Sequence, residues 1–265
     1  MNAPRLHSIE IAAERPARWI YLLHGIFGAG RNWATIARRL IERRPDWGAI
    51  LVDLRLHGHS QGFPPPHTLA ACVRDLAALV RGSDRPADAL LGHSFGGKVA
   101  LLAAPALRPT RVWVVDSTPS RRAPGGSAYR MMMMLRRLPA EYADRNAALA
   151  RLEQEGLAPR VARWMATNLV LGRDGVYRWR FDLDGLEDLL DDFFRTDVWG
   201  VVERAPEGMS LEFVKATESD VLSEAECVRL EAPPARDYVT LHRLQGGHWI
   251  HVDDPDGLVE LLATP

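Results

Sequence analysis

One serine in the sequence stands where a nucleophile would be placed. Ser94 lies in the stretch "LLGHSFGGKVALL", with Gly92 two residues before it and Gly96 two residues after it. An apolar, strand-like run precedes the serine, and a helix-like run rich in alanine and leucine follows it. A G-x-S-x-G turn between strand and helix exposes its serine hydroxyl. The alternative is a glycine-rich turn that carries no chemistry.

A serine hydroxyl becomes a good nucleophile when a histidine, itself held by a carboxylate, takes its proton. Where the serine follows a strand in this way, the histidine comes last in the chain. Three histidines follow Ser94: His242, His248 and His251. His242 falls inside a predicted strand, whereas His248 follows two glycines after that strand. We predict that His248 is the base, and that His251 caps a helix or makes a hydrogen bond within its loop.

Two aspartates are candidates for the acid that orients the histidine. Asp116 ends the strand-like run "RVWVVD", and Asp220 follows the next predicted strand in "KATESD". Both would lie at the carboxyl ends of parallel strands, where either could reach the histidine. Each could instead cap the segment that follows it. The residues alone leave both assignments open.

Acyl transfer also needs two donors for the oxyanion. The N–H of Phe95, the residue after the nucleophile, is the first candidate. The loop "LLHGIFGAG" supplies the second, because Gly25 lets the backbone turn inward. We assign this donor to the N–H of Ile26, with Phe27 as the alternative.

The elements that must position these residues alternate between strand and helix in the first half of the chain. Strand-like runs cover residues 6–12, 19–23, 48–54, 87–91 and 111–115, and helix-like runs cover residues 32–43, 68–80 and 97–106. This alternation predicts a mostly parallel sheet with helices on both faces. Strand-like segments return at residues 211–214 and 238–244, and a last helix begins near Pro255.

The alternation breaks between residues 119 and 206, where the sequence is helical and charged and contains four consecutive methionines. We therefore predict a core formed by residues 1–118 and 207–265, with a helical lid inserted at residues 119–206. A lid in this place would cover the carboxyl ends of the strands, where ligands of open α/β sheets bind.

The composition excludes several classes of function. The formal net charge is -1, so no global field favours nucleic acid or an anionic membrane. The 2 cysteines cannot form a disulfide framework. The cysteine usage predicts a cytoplasmic protein, because the sequence also has no signal-peptide-like N-terminus and no transmembrane run. Arg55, His57 and His59 follow a strand without a metal-binding cluster, so we expect them to support nearby loops by hydrogen bonds.

Four stretches together resemble the α/β-hydrolase superfamily: "HGIFG", "DLRLHGHS", "GHSFGGK" and "GGHWIHVDDPDGL". Their details are similar to YbfF-type bacterial esterases and to related mitochondrial α/β-hydrolase-domain proteins. The segments "TNLV" and "WRFDLDGL" resemble part of the lid in these proteins. The resemblance implies an α/β-hydrolase fold, with a mostly parallel central sheet, helices on both faces and an inserted helical lid.

The resemblance also bears on the acid. In these relatives the loop after the next strand lacks a carboxylate, which favours Asp116. Here that loop has regained Asp220, which therefore stays the alternative, and Asp184 in the lid is a third candidate. The sequence departs from the family pattern at Leu56, where asparagine is usual, and at Phe95, where methionine is usual.

The expected activity is hydrolysis of small acyl esters or thioesters through an acyl-enzyme, without a metal or an organic cofactor. A serine rather than an aspartate at position 94 argues against epoxide hydrolase or dehalogenase chemistry. A lyase or C–C hydrolase, an acyl-CoA thioesterase and a non-hydrolytic binding protein remain as alternatives, because one fold supports many activities. We expect a small-molecule substrate and a monomer or homodimer.

Overall fold

A seven-stranded sheet forms the centre of the molecule. The computed structural model describes residues 4–232 and 237–264. The central strands are β1 (Ser8–Ala12), β2 (Arg18–Leu23), β3 (Trp47–Val52), β4 (Ala89–His93), β5 (Arg111–Val115), β9 (Ser210–Ala216) and β10 (Val239–Leu244). Three short strands, β6 (Glu141–Tyr142), β7 (Leu169–Leu171) and β8 (Tyr177–Trp179), form a separate sheet. The central order is β1-β3-β2-β4-β5-β9-β10, and β1 at the edge runs antiparallel to β3 while the other pairs are parallel.

The helices lie around this sheet. They are α1 (Ala34–Arg43), α2 (Leu69–Arg81), α3 (Phe95–Leu107), α4 (Gly126–Leu135), α5 (Arg145–Gln154), α6 (Pro159–Ala166), α7 (Leu183–Arg195), α8 (Trp199–Val202), α9 (Glu224–Leu230), α10 (Ile250–Asp253) and α11 (Pro255–Ala263). A 3-10 turn over Gly30–Trp33 leads into α1. The Thr68 side chain accepts a hydrogen bond from the N–H of Ala71, so the predicted start of α2 is confirmed.

Side chains alternate between the two faces of the sheet. On β2, Tyr21 and Leu23 pack into the core cluster that includes α2 and α3. Ile20 and Leu22 pack into a second cluster with α1 and α11. Because both faces are apolar and both are covered, the predicted mostly parallel sheet with helices on each side is confirmed.

Helices α4–α8 and strands β6–β8 come from the chain between β5 and β9. The sequence predicted helices in this segment, and the antiparallel sheet β6-β8-β7 was not predicted. Its strands span only two or three residues, too few to show a period-2 pattern. Leu186, Leu189 and Phe193 of α7 are buried in the same core cluster as α3, so this part of the segment packs directly on the sheet-covering helices.

In the described part of the chain, none of the helices combines the length and the apolar character needed to span a bilayer. Cys72 and Cys227 are both buried and both free.

Candidate active site

Ser94 sits on a sharp turn between β4 and α3. Its φ of 53° and ψ of -117° lie outside the regions that non-glycine residues usually adopt. Glycine is required on both sides of Ser94, because a Cβ at either position would clash with backbone atoms. A Cβ on Gly92 would lie 2.0 Å from the carbonyl oxygen of Gly96, and a Cβ on Gly96 would lie 2.6 Å from the carbonyl oxygen of His24. The predicted turn between strand and helix is therefore present, and its backbone is strained at Ser94.

Neighbouring strand ends bring the three predicted residues together. His93 on β4 pairs with Val115 on β5, so Ser94 and Asp116 leave adjacent strands at the same level. The loop after β10 carries His248 to them. The His248 Nε2 lies 3.0 Å from the Ser94 Oγ, and its Nδ1 lies 2.7 Å from the Asp116 Oδ2. Nδ1 therefore donates to the carboxylate, and Nε2 can accept the serine proton.

Asp116 is fixed from several sides. Its side chain is fully buried, and its φ of 41° turns it out of the strand direction. The Ser219 hydroxyl donates to Oδ2 at 2.6 Å, and the N–H of Ala216 donates to Oδ1 at 3.4 Å. These donors hold the Asp116 carboxylate against His248.

The other sequence candidates do not join this chain of contacts. Asp220 is exposed and makes no hydrogen bond to His248, and Asp184 forms an ion pair with Arg136 at 2.7 Å. His242 contacts Glu212 at 3.0 Å within the sheet. The expectation for His251 is wrong, because its buried Nδ1 has no hydrogen-bond partner within the described residues. Its ring instead packs 4.9 Å from Trp33 and 5.2 Å from His93, measured between ring centroids.

The backbone donors beside Ser94 differ in their availability. Phe95 is the first residue of α3, so its N–H precedes the hydrogen-bonded turns of the helix. The N–H of Phe27 donates to the Nε2 of His57 at 3.2 Å. The N–H of Ile26 has no acceptor in the part of the chain that the structure describes. Ile26 and Phe95 therefore offer the two free amides.

Two cavities meet at these groups, and Ile26, Ser94 and His248 line both. The first has a volume of about 50 Å³ and an apolar wall that includes Trp33, Met131, Trp164 and Trp249. The second has a volume of about 130 Å³ and a mixed wall that includes Arg122, Leu190, Phe193 and Asp220. One substituent of a carbonyl bound at Ser94 would thus enter the apolar cavity, and the other would enter the partly polar cavity.

A comparison with known protein families decides the kind of fold that carries this site. Residues 20–261 match the model of the alpha/beta hydrolase family. The chain belongs to this family. The resemblance inferred from the sequence is thereby confirmed, as are the fold class and the prediction that the protein is a hydrolase.

Several members of the family can be compared in detail. The mouse (Mus musculus) sn-1-specific diacylglycerol lipase ABHD11 is 28% identical over 92% of this chain and 80% of its own length. Esterase YbfF of Escherichia coli is 27% identical over 92% of this chain and 91% of its own length. The structure of a marine microorganism esterase superposes with a TM-score of 0.85 at 21% identity, covering 98% of each chain.

The segment "DLRLHGHS" supports the loops of the candidate site. Asp53 accepts hydrogen bonds from the N–H of Gly30 at 2.7 Å and from the N–H of His59 at 2.8 Å. His57 donates from Nδ1 to the carbonyl of Arg55 at 2.9 Å, which leaves Nε2 to accept from Phe27. These bonds fix the loop that carries Ile26.

His93 lies beside the candidate site and was not predicted from the sequence. Its Nε2 donates to the backbone carbonyl of His248 at 2.7 Å, and the two rings lie 4.7 Å apart. Burial holds the pKa of His93 well below its ordinary value, so the ring is neutral. Its position directly before Ser94 was the available signal, because β4 ends beside the loop that carries His248.

Buried, neutral histidines lie around the candidate site. Burial lowers the pKa of His57 to about 3 and that of His251 to about 4, and it also lowers the pKa of His24. In the unfolded chain these rings titrate near their ordinary value of 6.5. Below that pH the unfolded chain binds protons that the folded protein does not, so the free energy of unfolding falls as the pH falls.

We expect His251→Phe to weaken this acid sensitivity. The phenylalanine keeps an aromatic ring against Trp33 and removes one group that must stay neutral. Between pH 6 and pH 4, the stability of the variant relative to wild type should rise by about 2 kcal/mol, following about 1.4 kcal/mol per pH unit for one proton. Urea unfolding at several pH values measures the difference. If the free energies of unfolding of the two proteins changed in parallel with pH, the interpretation of His251 as a buried, neutral group would be contradicted.

Proposed function

We propose that the protein is a serine carboxylesterase in which Ser94 is the nucleophile, His248 the general base and Asp116 the acid. The observation that carries this proposal is the pair of contacts made by the His248 ring, 3.0 Å to the Ser94 Oγ and 2.7 Å to the Asp116 Oδ2. A nucleophile, a base and an orienting carboxylate connected in this order can activate a hydroxyl at neutral pH.

In the acylation step, His248 Nε2 removes the Ser94 proton while Oγ attacks the ester carbonyl. The carbonyl oxygen becomes negative, and the free N–H groups of Ile26 and Phe95 are the donors that would stabilise it. Asp116 keeps Nδ1 protonated and stabilises the imidazolium that forms. The imidazolium then protonates the leaving alcohol, which departs and leaves an acyl group on Ser94.

In the deacylation step, His248 removes a proton from water, and the hydroxide attacks the acyl carbonyl. The same two amides hold the second oxyanion. Collapse of this intermediate releases the carboxylic acid and returns the proton to Ser94. Each step uses side chains and backbone groups alone, so the mechanism requires neither a metal nor an organic cofactor.

We propose small acyl esters or thioesters as substrates. The two cavities at Ser94 have volumes of about 50 Å³ and 130 Å³, which suit short substituents. Residues 119–206 would serve as the lid, because Met131 and Trp164 from this segment line the apolar cavity. Of the similar proteins named above, two are esterases and one is a lipase, which supports ester cleavage as the reaction.

Labelling with a fluorophosphonate tests the nucleophile directly, because the probe phosphonylates a serine that a base has activated. We expect the wild type to take up one label per chain, on the peptide that contains Ser94, and Ser94→Ala to take up none. Ser127→Ala is the matched control, since Ser127 lines both cavities but contacts neither His248 nor Asp116. It should label as the wild type does.

Hydrolysis of short-chain p-nitrophenyl esters is measured on the same proteins. Turnover by the wild type and by Ser127→Ala, but not by Ser94→Ala, is the expected result. Label on Ser94→Ala would exclude Ser94 as the nucleophile. A wild type that neither labels nor hydrolyses any ester of the panel would overturn the proposed function.

A further inference from the structure

A separate cavity lies at the junction between the core and the 119–206 segment. Its volume is about 280 Å³, and it shares no lining residue with the two cavities at Ser94. Asn168 and Arg180 come from the inserted segment. The core supplies the other lining residues, which are His7, Ile9, Ala29, Arg31, Asp53, Gly58 and His59. Two guanidinium groups and two imidazoles thus surround one space.

The two arginines of this cavity have few partners. Arg31 donates to the carbonyl of Thr167 at 2.8 Å, and Arg180 makes one long hydrogen bond to the carbonyl of Gly58 at 3.4 Å. Within the described residues, no carboxylate oxygen lies within 4.0 Å of either guanidinium. A guanidinium has five N–H donors, so most of the donors on both side chains are unused.

The arginine charges also oppose each other. Burial lowers the pKa of Arg180, the positive charge of Arg31 lowers it further, and the negative charge of Asp53 raises it. Arg31 is exposed and Arg180 is half-buried, so solvent reduces the repulsion between them, and an anion placed between the two guanidinium groups would be attracted to both. The cavity provides the space for such an anion.

Asp53 is the one carboxylate among the lining residues, and its charge is already engaged. Its Oδ1 accepts from the N–H of Gly30, and its Oδ2 accepts from the N–H of His59 and contacts the Nδ1 of His7 at 3.0 Å. The rings of His7 and His59 lie 4.8 Å apart and add nitrogen atoms to the same wall. The charge of Asp53 raises the pKa of Arg180, but no Asp53 oxygen lies within 4.0 Å of either guanidinium in the described residues, so the carboxylate occupies none of their N–H donors.

We propose that this cavity binds a phosphate group, held by Arg31 from the core and Arg180 from the inserted segment. A carboxylate is planar and is satisfied by one guanidinium in a bidentate pair. A phosphate carries up to two negative charges and three acceptor oxygens, which suits donors that converge from several directions. The inference is independent of the proposed esterase activity, because none of these residues contacts Ser94 or His248.

A phosphate in this cavity would join two parts of the protein. Arg180 lies on the inserted segment, and Arg31 follows the loop that carries Ile26. Asn168, which lines the same cavity, donates to the carbonyl of Phe27 at 3.0 Å. Binding should therefore raise the unfolding temperature and reduce amide exchange in residues 167–180, since the ligand binds only the folded junction.

Isothermal titration calorimetry at constant ionic strength tests the site. The ligands are inorganic phosphate and glycerol 3-phosphate, which separate a free phosphate from a phosphate monoester. The proteins are the wild type, Ser94→Ala, Arg180→Gln, Arg31→Gln and Arg38→Gln. Arg38 is the matched control, because it is exposed, makes no hydrogen bond in the described part of the chain and does not line the cavity.

We expect one equivalent of at least one ligand to bind the wild type, Ser94→Ala and Arg38→Gln with similar affinity. Loss of one charged hydrogen-bond donor should weaken binding by about tenfold or more in Arg180→Gln and in Arg31→Gln. If Arg180→Gln fails to fold, Arg31→Gln provides the comparison, since it removes the other guanidinium of the same cavity. No saturable binding of either ligand to the wild type, or unchanged affinity in both arginine variants, would overturn the proposal.

Discussion

Replacing Asp116 with asparagine is expected to lower kcat by about 10⁴-fold while the protein stays folded. Asparagine keeps the shape of the side chain but presents an amide to the Nδ1 of His248. The amide nitrogen cannot accept the N–H of the ring, so the imidazole is held in the wrong tautomer. Its Nε2 then carries a proton and cannot remove the one on Ser94.

The same substitution at Asp220 should have almost no effect. Asp220 is exposed and lies in the wall of the larger cavity without a hydrogen bond to His248. We therefore expect Asp220→Asn to retain kcat within about threefold, because an exposed carboxylate without a hydrogen bond to His248 does not orient the base. Asp184 forms an ion pair with Arg136, so we expect Asp184→Asn to retain kcat in the same way.

Steady-state hydrolysis of one p-nitrophenyl ester, with kcat and KM determined separately for the three variants, makes the comparison. Circular dichroism and the urea midpoint check that Asp116→Asn is folded, because its carboxylate also accepts from Ser219 and Ala216. A large loss of kcat in Asp220→Asn together with a near-normal Asp116→Asn would reverse the assignment of the acid.

This pair of aspartates illustrates what the sequence could not resolve. Asp116 and Asp220 both follow strands of the parallel sheet, so the pattern of strands gives them equal access to the histidine. The difference lies in backbone direction and in contacts distant along the chain. The positive φ of Asp116 turns its side chain inward, and Ser219 binds it from 103 residues away. Neither feature leaves a local signal.

The choice between Ile26 and Phe27 has the same origin. Both residues follow Gly25 in the loop, and either amide could point toward Ser94. What separates them is His57, which lies 30 residues further along the chain and accepts the N–H of Phe27. The notion that this histidine supports a neighbouring loop was available from the sequence, but the particular amide that it occupies was not.

The fold itself followed from local patterns because its core elements are long and regular. Strand β5 was predicted at residues 111–115 and occupies those residues. The helix after Ser94 was predicted to begin at residue 97, but it begins at Phe95. Ser94 itself is the N-cap, so no residue separates the strained serine from the helix. The helical lid over residues 119–206 stays a prediction, because its role depends on motion and on substrate.

Lys98 provides the second large expected effect, on stability. It belongs to the motif "GHSFGGK", and its side chain is fully buried. Its Nζ donates to the carbonyls of Ser120, Phe193 and Thr196 at 2.8, 2.7 and 2.7 Å. An ammonium has three donors, so all of them are satisfied. These hydrogen bonds connect α3 of the core to the inserted segment.

We expect Lys98→Met to lower the free energy of unfolding by about 3–5 kcal/mol at pH 7. Methionine fills a similar volume but leaves three carbonyl oxygens without donors in a buried region, and each loses part of its hydrogen-bond energy. Urea unfolding measures the change. Arg137→Met is the control for loss of one charge from an exposed helix end, and it should stay within about 0.5 kcal/mol of the wild type.

The pH dependence of this difference tests the same contacts. Burial lowers the pKa of Lys98 from its ordinary 10.5 to about 8 in the folded protein. Between these values the unfolded chain binds the proton and the folded protein does not, so the free energy of unfolding rises with pH. The difference in the free energy of unfolding between wild type and Lys98→Met should therefore increase as the pH rises above about 8. The other titratable groups are present in both proteins, so their contributions cancel in this difference. A gap that narrows over this range would mean that the ammonium is stabilised more by its three carbonyls than it is penalised by burial.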